Sequence, residues 1–128
     1  MKVGFIGLGN MGGSIAHRLQ LKGHQLIVND IDPGRGQPYV DAGATWADSP
    51  KAVASDAHIV LTSLPGPTQV EAVALGDDGV LDGLAEGGLL VALSTSPPSP
   101  ARKLSEQFAA RGARFLDAPV SGSITQAR

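Results

Sequence analysis

Two periodicities alternate along this chain. Short, nearly continuous apolar runs are separated by stretches in which apolar residues return every three or four positions, the spacings of a buried strand and of an amphipathic helix. Residues 2–6 and 26–29 read as strands, and between them Met11, Ile15 and Leu19 share one helix face. After the second strand, Gly34, Gly36 and Pro38 argue against a regular helix, whereas Ser49 followed by Pro50 is an N-cap and first-turn pair that starts a short one. Residues 57–62 have a buried-strand pattern, 66–74 and 76–83 read together as loop, helix and loop, and 89–93 is a further apolar strand. The clearest helix follows. Ser99 caps it, Pro100 takes its first turn, Ala101, Leu104 and Phe108 make its inner stripe, Gly112 ends it, and a last strand occupies 114–117. Strands and helices alternating in this way predict a doubly wound α/β domain, a mostly parallel sheet with helices on both faces. No linker, repeat or low-complexity stretch interrupts it, so a single domain is expected.

Composition narrows the chemistry. A chain of 128 residues, 42% of them apolar, can bury about two-thirds of its unfolded surface in one core. The formal charge is −2 with the basic residues scattered, which leaves no electrostatic footprint for nucleic acid or an anionic membrane surface. No apolar stretch is long enough to span a bilayer and the first residues do not resemble a signal peptide, so a cytoplasmic protein binding a small molecule is expected. The absence of cysteine excludes disulfides, thiolate zinc sites and a cysteine nucleophile. His17, His24 and His58 have no metal-ligand spacing and read as structural or solvent-facing.

The chemistry concentrates where the first strand meets the first helix. Gly7, Gly9 and Gly12 form G-x-G-x-x-G, filled in by Leu8, Asn10 and Met11, and Asp30 ends the second strand about twenty residues on, preceded by Asn29. Taken alone, in a chain with 17 glycines, the triplet could be an ordinary strand-to-helix turn. Its setting between strand, helix, second strand and acid makes it a Rossmann-type dinucleotide site. Gly7 allows the tight turn, Gly9 lets a pyrophosphate approach the backbone, Gly12 lets the helix pack on the sheet, and the helix N-terminus faces the phosphates. Asp30 could also serve as a turn residue. As a ribose ligand it would repel a 2′-phosphate, so NAD is expected over NADP, with Arg35 the nearby cation that could reverse the preference.

Four motifs in order, GFIGLGNMG, Leu64-Pro65 after a strand, Ser94-Thr95 followed by prolines, and DAPVSG at 117–122, resemble the β-hydroxyacid dehydrogenases, and more distantly 6-phosphogluconate dehydrogenase. The resemblance spans nearly the whole chain. It implies that Leu64 and Pro65 line the cofactor, that Thr95 lies near its nicotinamide end, and that Ser121, Gly122 and Ser123 meet the carboxylate of a small hydroxyacid or semialdehyde. It also marks departures. Ala92 stands where the family usually has Asp, Ser123 where a second Gly is usual, and Ile31 where NADP-using relatives place Arg.

The same resemblance implies an organisation: residues 1–117 as the dinucleotide-binding domain and 118–128 as the start of a substrate segment, cut short before a helical second domain that carries a catalytic Lys. No catalytic residue is therefore assigned within this chain. The exposed second-domain interface is expected to favour a homo-oligomer. The expected function is that of an NAD(P)-binding domain of a 3-hydroxyisobutyrate dehydrogenase-like oxidoreductase, inactive in isolation; the alternative is a non-enzymatic dinucleotide-binding sensor or regulatory module.

Overall fold

The computed structural model describes residues 2–64, 67–93 and 98–117, with backbone alone for 10, 11, 67, 68, 98–102 and 117. Six strands form one sheet: β1 Lys2–Ile6, β2 Gln25–Asn29, β3 Thr45–Trp46, β4 Ile59–Thr62, β5 Leu89–Ala92 and β6 Arg114–Asp117. Their spatial order is β3-β2-β1-β4-β5-β6, and every pairing is parallel. The helices between them are α1 Asn10–Leu21, α2 Pro33–Asp41, α3 Pro50–Asp56, α4 Pro67–Leu75, α5 Val80–Gly83 and α6 Pro98–Ala110. The expected doubly wound α/β architecture is the one observed.

Because successive side chains of a strand point to opposite faces, β1, β2 and β4 each serve two cores. Val3, Phe5, Leu26 and Val28 pack on α1 and α2 through Ala16, Ile15, Leu19, Tyr39 and Val40. Ile6, Ile27, Val60 and Leu90 pack on the other face against α3 to α6, where Val53, Val70, Val80, Leu104 and Phe108 are buried. Phe108 and Phe115 meet edge to face with ring centroids 5.8 Å apart, joining α6 to β6. Gly112 takes φ +76° and the Ala113 N–H returns to the Phe108 carbonyl at 2.9 Å, so α6 ends as the sequence indicates.

Three expectations need correction. The stretch with Gly34, Gly36 and Pro38 is helical after all. Asp32 accepts from the Gly34 N–H at 3.0 Å as N-cap, Pro33 fits the first turn, and Gly36 lies under the Trp46 ring, where a Cβ would be only 2.5 Å from the nearest ring carbon. Burying Tyr39 and Val40 on the sheet outweighs the poor intrinsic propensity, as tertiary packing commonly does. Second, α6 begins at Pro98, which puts Ser99 and Pro100 inside its first turn. Proline is tolerated there because a first-turn N–H has no intrahelical partner. Third, β3 and α5 were not anticipated, being too short to carry a period. His58 lies just outside β4 and is exposed.

At Gly4 the central strand meets α3 so closely that a Cβ would run into the fully buried Val53 side chain and lie 3.2 Å from Val60. Gly4→Ala should cost about 1–3 kcal/mol by overpacking. Urea unfolding should show a lower midpoint with an unchanged slope.

Candidate functional site

The strand order reverses between β1 and β4, and at the carboxyl ends of these strands the chain leaves to opposite faces, opening a crevice. The turn after β1 fills one side of it. Gly7 adopts φ +95°, a left-handed conformation open to glycine, and its N–H donates to the Asn29 carbonyl at 3.0 Å. The Ser63 N–H donates to the Ile6 carbonyl at 3.0 Å, tying the β4 exit to the same turn. A Cβ on Gly7 would strike the Ser63 carbonyl oxygen, and one on Gly12 would strike the Gly7 carbonyl oxygen. These two glycines are packing positions.

Gly9 differs. The nearest atom to a Cβ placed there is Nη1 of Arg35 at 3.7 Å, so the backbone at Gly9 is open to a ligand. It is also the N-cap residue of α1, with no side-chain cap and no acidic residue in the first turn, which leaves the positive helix end to an incoming anion. Packed Gly7 and Gly12 with an open Gly9 is the arrangement that a pyrophosphate requires.

Asp30 is the second component. Its side chain is 4% exposed; Oδ2 accepts from the Leu8 N–H at 2.7 Å and Oδ1 from the Asp32 N–H at 2.9 Å. One carboxylate therefore ties the glycine turn to the β2 exit. Arg35 Nη1 stands 4.0 Å from Asp30 Oδ2, and its Nε stands 3.9 Å from Asp32 Oδ2. Together these residues flank a cleft of about 530 Å³ lined by Leu8, Gly9, Gly13 and Ser14 on one side and Arg35, Pro38 and Tyr39 on the other. Burial pushes the Tyr39 phenol above its ordinary value.

The structure thus brings Gly7, Leu8, Gly9, Gly12 and Asp30 together, with the backbone of Asn10 and Met11 in the first turn of α1. Leu64 belongs to the same corner, its Cδ2 lying 3.2 Å from the position of a Gly7 Cβ. Asn29 is held in the sheet: its buried amide donates to the Ala47 carbonyl at 2.9 Å. Pro65, Thr95, Ser121, Gly122 and Ser123 lie outside the described residues. Sequence reasoning missed Ser14, Ser63 and Tyr39. Arg35 and Tyr39 are four apart and share a helix face, a signal available only once α2 is known to be a helix. It also missed the Thr62 hydroxyl, fully buried beside the crevice with no hydrogen-bond partner among the described residues. No group of three metal-ligating side chains occurs among the described residues, and no helix there is long and apolar enough to cross a membrane.

A parallel 3-2-1-4-5-6 sheet, with an uncapped helix N-terminus behind a glycine turn at the reversal point, defines a Rossmann-type dinucleotide-binding domain. The chain belongs to the family described as the NAD binding domain of 6-phosphogluconate dehydrogenase, matched over residues 2–128, the cofactor domain shared by the β-hydroxyacid dehydrogenases. It is 44% identical over 126 residues to 3-hydroxyisobutyrate dehydrogenase of Pseudomonas aeruginosa, covering 98% of this chain and 42% of that protein. Among solved structures, 3-hydroxyisobutyrate dehydrogenase from Salmonella typhimurium superposes with a TM-score of 0.90 at 27% identity, over 98% of this chain and 44% of that one. A second, Psf3 in complex with NADP+ and 2-OPP, superposes with a TM-score of 0.89 at 33% identity, over 96% of this chain and 44% of its own. The chain spans about two-fifths of the length of the curated relatives it matches.

Replacing Asp30 by Ala would leave the buried Leu8 N–H without its acceptor. A loss of about 2–4 kcal/mol is expected, since two charge-assisted bonds go at once. Equilibrium denaturation of the purified chain measures it, and a change within error would show that the turn holds without this carboxylate.

Proposed function

We propose that this chain holds NAD for a β-hydroxyacid dehydrogenase, which transfers hydride between the nicotinamide and a small hydroxyacid or semialdehyde. The observation that carries this reading is the open Gly9 backbone at the uncapped N-terminus of α1, beside a turn clamped by Asp30. The nicotinamide, when bound, supplies the hydride chemistry. The chain's own residues bind and orient. The first turn of α1, with Asn10 and Met11, receives the pyrophosphate, and the Asp30 corner receives the adenosine ribose. Ile31, fully exposed next to Asp30, offers an apolar surface to the purine. Leu64 and Pro65 flank the cofactor on the β4 side, Thr95 lies toward the nicotinamide, and Asn29 supports the turn through its carbonyl.

In this reading residues 1–117 are the cofactor domain, and 118–128 open the substrate segment, with Ser121, Gly122 and Ser123 toward the carboxylate. The proton that accompanies hydride transfer is assigned to a Lys outside these residues, in keeping with the resemblance. Two acids, Asp30 and Asp32, against Arg35, the one cation that lines the cleft among the described residues, favour NAD over NADP. The compartment is the cytoplasm, and self-association would use the apolar edge at β6, where Leu116 is half exposed.

The test is a parallel titration of the purified chain with NADH and NADPH, followed by nicotinamide fluorescence. Saturable binding with NADH tighter, and no oxidation of 3-hydroxyisobutyrate by the chain alone, is the expected result. Binding of neither cofactor would overturn the reading.

A further inference from the structure

Beside the cleft between α1 and α2, at the ends of β2 and α2, lies an arrangement of charge that a ribose-binding role for Asp30 would not explain. Asp30 is buried, and each of its oxygens already accepts a backbone N–H. It is built into the turn and cannot be exchanged without disturbing it. Asp32 is built differently. Its Oδ1 caps the Gly34 N–H at 3.0 Å, which fixes the carboxylate at the head of α2, while Oδ2 faces the Arg35 Nε at 3.9 Å. Both of these side chains are more than half exposed. Arg35 is the only cationic side chain lining this cleft among the described residues, and its guanidinium lies over Gly9, on the side of the turn where Asp30 marks the adenosine end.

We infer that Asp32, through its pairing with Arg35, sets the discrimination against a 2′-phosphorylated adenosine ribose. The inference rests on the reading of this cleft as a dinucleotide site. With both acids ionised, the corner carries one net negative charge, and a phosphate approaching Arg35 meets two carboxylates. Removing the charge of Asp32 leaves Arg35 balanced by Asp30 alone and free to donate its planar fork to a phosphate. An uncharged 2′-hydroxyl feels little of this change. Asp32 thus tunes cofactor choice from the rim, while Asp30 keeps the turn in place.

The cap makes a clean experiment available, because Asn and Ser cap a helix as well as Asp does. Asp32→Asn and Asp32→Ser should therefore keep α2, which thermal unfolding checks. Titrated with NADPH and NADH at low salt, both variants should bind NADPH roughly three- to ten-fold more tightly than the unsubstituted chain, with NADH within about two-fold. The gain should shrink at 0.5 M salt, where exposed charges are screened. Adding Arg35→Ala should abolish it, since the phosphate then lacks its cation. A NADPH to NADH ratio unchanged in both variants, or a gain that survives Arg35→Ala, would overturn the inference while leaving NADH binding intact. Failure of the unsubstituted chain to bind either cofactor would instead remove the dinucleotide reading, and the inference with it.

Discussion

The rest of the structure depends on the close approach of three backbone segments at the reversal of the sheet. Gly7 and Gly12 leave no room for a Cβ, because the carbonyls of Ser63 and Gly7 occupy that space. This contact lets α1 start directly at the carboxyl end of β1 and brings the β4 exit against the same turn. Steric exclusion, rather than attraction, defines the place. A side chain at either glycine would push the helix end away from the crevice, and the positive end of α1 would no longer meet a ligand at the point where β1 and β4 diverge.

Around that contact the polar groups are arranged in two tiers. The inner tier is buried and fully engaged: Asp30 on the Leu8 and Asp32 N–H groups, Asn29 on the Ala47 carbonyl. Groups of this kind hold geometry, since a buried acceptor or donor that loses its partner carries a large penalty. The outer tier, Asp32 and Arg35, is exposed and held by weak ionic contacts. It can respond to the charge of whatever enters the cleft. The division places a rigid, buried turn and an exposed ion pair within a few residues of each other.

The two faces of the sheet have unequal roles. The α3 to α6 face buries most of the large apolar side chains and anchors the crevice from behind, through Ile6, Val60 and Leu90. On the α1 and α2 face the core is smaller, and the cleft opens between those two helices. α2 is a weak helix in isolation, with two glycines and an internal proline, and it stands because Gly36 seats against Trp46 and Tyr39 closes onto Gly13. The helix with the poorest propensity therefore carries Arg35, Pro38 and Tyr39, which line one side of the cleft.

Much of this was legible in the sequence. The strand and helix periods of β1, α1, β2, β4, β5 and β6 are local, as are the cap of α3 by Ser49 and the stop of α6 at Gly112, so residue spacing determines them. The glycine spacing and Asp30 were legible too, because steric demand and charge at a turn are read from residue types. Only the tertiary structure decided that residues 33–41 are helical, since the compensating contacts come from Trp46 and from the sheet. It alone decided that Asp30 is committed to the Leu8 N–H across 22 positions of sequence, and that Arg35 lies over Gly9. Those facts depend on how separate elements pack, and local spacing carries no information about contacts between segments far apart in the chain.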